Sequence, residues 1–201
     1  MEHRLGMKSK RRMILSATCL FFIFLTACGT PNYSKTTLEF LKTGAVRLYI
    51  VEPWDDTLYD FDELNQMNNQ EVNKYNASSH SVTILSSELR DGQARITMEY
   101  ANDDSYYDLN KKVLFYGTAS SAKTAGYNLV GKVSATDGSG ELKPADWNEM
   151  DTERVIILSE NIEIVTPSEI GYVGDGVTVT GGNTASVLES TGTQLRYVIC
   201  R

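Results

Sequence analysis

Two histidines and three cysteines are all that this 201-residue chain contains, and that scarcity removes several chemistries at once. Beyond the first thirty residues His80 is the only imidazole. A Ser-His-Asp triad would have to use it, and no GxSxG elbow accompanies it. A zinc site of the ordinary kind asks for more His or Cys than the chain offers. His80 stands in NASSHSVT, at a predicted helix-to-strand junction, and reads as a solvent-facing loop residue. No GxxxxGKS or GxxxxGKT run is present and no GxGxxG opens a helix, so no phosphate cradle is expected. No segment recurs at the period of a solenoid or propeller. Positive charge is also short: 19 Lys and Arg face 26 Asp and Glu, a net charge of −7. Nucleic acid demands a basic patch and is excluded as a partner. No cofactor is implied.

Long apolar runs are equally scarce. The one that exists, Met13 to Ala27, is 15 positions long and has no polar stripe. A spanning helix wants about 20 apolar residues. The run follows a cationic patch of Lys8, Lys10, Arg11 and Arg12 and ends in small residues, which is the order of a secretory signal peptide. Met7 is an alternative start that keeps the patch. The run closes on Leu25-Thr26-Ala27-Cys28. This quartet resembles the lipobox of bacterial lipoproteins. The resemblance covers residues 1–28 and implies a diacylglycerol on the Cys28 sulfur, cleavage after Ala27, and attachment to the outer side of the cell membrane. A thiolate suits the first step as a nucleophile, and two acyl chains suit an anchor, each buried methylene adding about 0.8 kcal/mol. The alternative is plain cleavage after Ala27 with Cys28 left free.

On this reading residues 1–27 are a signal peptide, 28–35 a lipidated tether and 36–201 a single domain. The tether, extended, reaches about 25 Å. The leader carries five basic residues against Glu2, so its removal leaves a domain of charge −11. Such acidity favours solubility and repels anionic lipid. Cys19 departs with the leader and Cys28 is bonded to lipid, which leaves Cys200 as the last thiol and rules out an internal disulfide. Cys200 reads as an alternating residue of a final strand.

The remaining pattern predicts an α+β fold, a mainly antiparallel sheet with one principal helix across a face and one or two short ones. KTTLEFLKTGAVRLYIVEPW gives two strands about a Gly44 turn. Phe61, Leu64, Met67, Val72 and Tyr75 mark one stripe of a helix over about 60–75, capped by Asp60 with Glu63 three residues on. SVTILSSELRDGQARITMEYAN is a hairpin about Asp91-Gly92, with Ile96, Met98 and Tyr100 on one face. DDSYYDLNK and SSAKTAGYN suggest short helices. KVLFYGT, nearly all apolar, suggests a central strand, and NLVGKVS one more. DGSGELKPADWNEMD reads as a loop. RVIILS, IEIVTP, IGYVGDGVTVTGG and QLRYVICR supply further strands, with a turn at 174–176. This mature region resembles small lipoproteins of gut Firmicutes in EIGYVGDGVTV, the following TASV, YDFDELNQM and FYGTASSAKTAGYNL; the resemblance implies no activity.

Candidate chemistry gathers in WDDTLYDFDEL. Trp54, Asp55, Asp56 and Tyr59 are the ligand-binding candidates, beside the carboxylates of Asp60, Asp62 and Glu63. Hard oxygens on a flexible loop suit calcium. An aromatic platform with acids suits a glycan, and a carboxylate pair would cleave one. An acid-rich helix start explains Asp60, Asp62 and Glu63 without any ligand. Asp137, Ser139 and Glu141 have the offsets of an EF-hand start, but Leu142 and Asn148 stand where Gly and Glu are required, so no metal is assigned. The leading expectation is therefore a lipid-anchored, non-enzymatic extracytoplasmic domain that binds an envelope or surface partner or shapes the envelope. A wall- or glycan-active hydrolase using carboxylates in 54–63, and a calcium-dependent binding module, are the alternatives.

Overall fold

Gly44, at φ 96°, turns the chain between β1 (Thr37–Phe40) and β2 (Val46–Pro53), which pair antiparallel. Asp91 and Gly92, at φ 53° and 71°, do the same between β3 (Val82–Arg90) and β4 (Gln93–Tyr100). Two consecutive positive φ values are the turn whose twist matches a hairpin. These turns come from a computed structural model that describes residues 31–79, 81–187 and 194–201. Cys28, the leader and His80 lie outside the described residues.

The strands divide between two sheets. The first runs β10 (Val177–Gly181), β11 (Thr184–Val187), β8 (Glu163–Val165), β1, β2, β4, β3. The second runs β5 (Leu114–Thr118), β7 (Arg154–Leu158), β12 (Arg196–Cys200), β9 (Ile170–Gly174), β6 (Val133–Ala135). Every described pairing is antiparallel except β1 with β8. The principal helix α1 (Phe61–Ser79) is joined by α2 (Asp103–Asn110), α3 (Ala119–Thr124) and α4 (Pro144–Glu149). The class is α+β.

One core joins the sheets. Leu38, Phe40, Leu48 and Met98 from the first meet Tyr116, Ile156, Leu158 and Val198 from the second. The Phe40 and Tyr116 rings lie 5.0 Å apart. Helix α1 packs on the same core through Val72, Leu64 and Tyr75. Two of its asparagines tie it to β3: Asn76 accepts from Ser81 and Val82 amides and donates to the Val82 carbonyl, and Asn65 accepts from Ser87. A second apolar cluster, including Leu129, Trp147, Ile157 and Ile199, covers the other face of the second sheet. That sheet is therefore covered on both sides, and Val155 to Leu158 are buried consecutively. The outer face of the first sheet is polar instead, with Arg47 bridging Glu99 at 2.5 Å and Tyr49 donating to Glu39 at 2.7 Å.

Four expectations change. β5 is an edge strand, not a central one. Its apolar run answers to clusters on both faces, and the Asp103 carboxylate accepts from the Tyr116 amide at 2.8 Å. The 137–151 stretch contains α4, begun by Pro144 at the first helical turn, with Trp147 buried beneath Lys123. Of NLVGKVS only the last part is strand; Leu129 is fully buried in a turn. The expected turn after Gly174 is present, with Gly176 at φ 74°, and the strands on its two sides belong to different sheets. Residues 32–35, read as tether, lie against the first sheet. Arg95 donates to Asn32 and the Tyr33 carbonyl, and the Tyr33 ring meets Tyr49 edge-on at 4.8 Å.

Candidate functional site

β2 ends at Pro53, and the chain must cross from the sheet to α1. The crossing is built from its own side chains. The Trp54 amide donates to the Gly92 carbonyl at 3.0 Å, tying it to the β3–β4 turn. The Asp55 carboxylate accepts from the Thr57 amide at 2.9 Å and the Thr57 hydroxyl at 2.6 Å. These bonds hold the Asp55 carboxyl below the usual aspartate range. The Leu58 and Tyr59 amides return to the Asp55 carbonyl. Asp60 Oδ1 then accepts from the Asp62 and Glu63 amides at 2.8 and 3.2 Å, the N-cap expected from sequence.

Between this crossing, α1 and the sheet runs a groove of about 600 Å³. Ile50, Ala94 and Ile96 form its floor from β2 and β4. Leu64, Met67 and Asn68 of α1 make one wall; Trp54, Leu58 and Tyr59 make another. The Trp54 ring centroid lies 5.7 Å from that of Tyr59 and 5.5 Å from that of Phe61. Glu52, Asp60 and Glu63 supply charge, and no Lys or Arg lines the groove. Leu58, Tyr59 and Met67 are 71, 63 and 57% exposed, the three most exposed large apolar side chains among the described residues. Isolated exposed apolar groups are ordinary, but three on one concavity are a binding signature. The Trp54 indole nitrogen is withdrawn from solvent and meets no acceptor among the described residues.

The four ligand-binding candidates therefore separate. Trp54 and Tyr59 line the groove. Asp55 is spent on its own turn and Asp56 is exposed, and neither lines the groove. The floor residues were missed, because nothing local links Ile50 and Ile96 to Trp54. Met67 was assigned to the buried stripe of α1 and instead faces solvent.

Elsewhere, residues that invited chemistry have structural partners. Asp137 accepts from the Ser139 amide and pairs with Arg201 at 3.2 Å; with Ser139 leading, these contacts lower its carboxyl to about 2. Cys200 is buried in β12, and burial pushes its thiol up to about 11. Among the described residues no three His, Cys, Asp or Glu side chains gather as metal ligands. No helix of the described residues is long and apolar enough to cross a membrane. Comparison with protein-family models, with curated proteins and with solved structures finds no match to this chain.

Proposed function

We propose that the protein is a lipid-anchored, extracytoplasmic binding module, non-enzymatic, whose ligand face is the groove beside Trp54 and Tyr59. One observation carries the anchor: a cationic patch, an apolar run and Leu25-Thr26-Ala27-Cys28 stand in that order. One carries the binding role: the groove gathers Leu58, Tyr59 and Met67, the three most exposed large apolar side chains among the described residues, on one concavity. The Asp60 carboxylate has a structural task in holding two helix amides, which favours binding over carboxylate-pair hydrolysis.

Cys28→Ser tests the anchor. The variant should lose detergent-phase partitioning and keep its leader. Normal partitioning, or mass spectrometry finding an unmodified amino terminus on native protein, removes the lipid from the proposal. The groove is tested separately below.

A further inference from the structure

The groove also indicates what kind of molecule it takes. We propose that its occupant is a small amphiphilic organic cation, an apolar body carrying an ammonium group; this rests on the groove being the ligand face. Its floor and walls offer Ile50, Ala94, Ile96, Leu64 and Met67 to an apolar body. Methionine at the rim adapts its shape to varied partners. At one end Trp54 and Tyr59 present aromatic rings. Ring faces attract cations, Trp most strongly, and the attraction grows as water is excluded. Glu52 and Glu63 stand around the same concavity with no Lys or Arg in its lining, and Asp60, which already accepts from two helix amides, adds a third carboxylate. Three carboxylates over an apolar floor disfavour an anionic occupant and leave a neutral one without a charge partner. The volume, about 600 Å³, is that of a small-molecule site.

The full-length protein is titrated with phenylethylammonium, phenylethyl alcohol and phenylpropionate, and tryptophan fluorescence is followed. Trp54 lies in the groove, whereas Trp147 is buried in the second core cluster and acts as a constant background. The ammonium ion should bind about tenfold more tightly than the alcohol, the ratio expected of a partly desolvated cation–π contact with carboxylates nearby. The propionate should bind most weakly. Raising salt should reduce the ammonium preference. Glu52→Gln with Glu63→Gln should bring ammonium and alcohol within about twofold of each other, since both sites are exposed and the N-cap aspartate is kept. Tyr59→Ser, a change at an exposed position, should weaken the ammonium ion more than the alcohol. Equal binding of ammonium and alcohol by the natural protein overturns the cation assignment and leaves the groove a ligand face. No saturable response to any of the three overturns the groove itself.

Discussion

Asp60 shows how much one side chain can decide. Its Oδ1 satisfies two amides that α1 would otherwise leave open, and it does so at the point where the groove begins. Asp60→Ala should lower stability by about 1 kcal/mol in urea titration. Gly176 is constrained more tightly. Its φ is 74°, and a Cβ there would lie 2.6 Å from the Arg196 guanidinium carbon. Gly176→Ala adds left-handed strain to that collision and should cost about 1–3 kcal/mol, read from the same titration. Asp137 reports on pH. Its folded-state carboxyl is depressed from 3.8 to about 2, so its contribution to stability is present above the ordinary value and lost as pH falls through that window. The difference in thermal midpoint between the natural protein and Asp137→Asn should therefore exist at neutral pH and shrink toward pH 2. Asp137 was visible in the sequence as an EF-hand-like start. Its real partner, Arg201, stands 64 positions away, and no local pattern carries that information.

Elements were legible where local chemistry decided them. The β3–β4 hairpin needed only Asp91-Gly92 and alternating side chains, and α1 needed its cap and its stripe. Elements whose role depends on distant strands were misread. β5 looked central because both its faces are apolar, yet burial of two faces and hydrogen bonding of two edges are separate conditions. Asp103 resolves the second by accepting from the Tyr116 amide, and burial raises its own carboxyl above the usual range despite that bond. Asp103→Ala should leave the amide without its partner and cost about 1–3 kcal/mol, with faster amide exchange at Tyr116 as the specific readout. α4 was hidden by the Gly-rich residues before it, although Pro144 is a recognised first-turn residue. The same gap split the groove: Trp54 and Tyr59 drew attention as a cluster, while its floor comes from strands that reach the site only through pairing.

At the scale of the whole molecule, the two faces of the first sheet have different duties. One carries the shared core, α1 and the groove. The other is polar and holds the incoming chain, since Arg95 grips Asn32 and Tyr33 while its neighbours Ala94 and Ile96 point the opposite way into the groove. Arg95→Ala should loosen this segment, and trypsin should then cut after Lys35 faster than in the natural protein at unchanged overall unfolding temperature. An equal cutting rate would show that the remaining contacts, Tyr33 on Tyr49 and Lys35 with Glu163, hold the segment without Arg95.

Because residues 32–35 and the groove occupy opposite sides of a single β-layer, a biosensor surface coupled through a cysteine placed at the exposed Ser34 position faces away from the groove. Coupling through lysines would be a poorer choice, since the exposed Lys74 stands on α1, the helix that forms a wall of the groove.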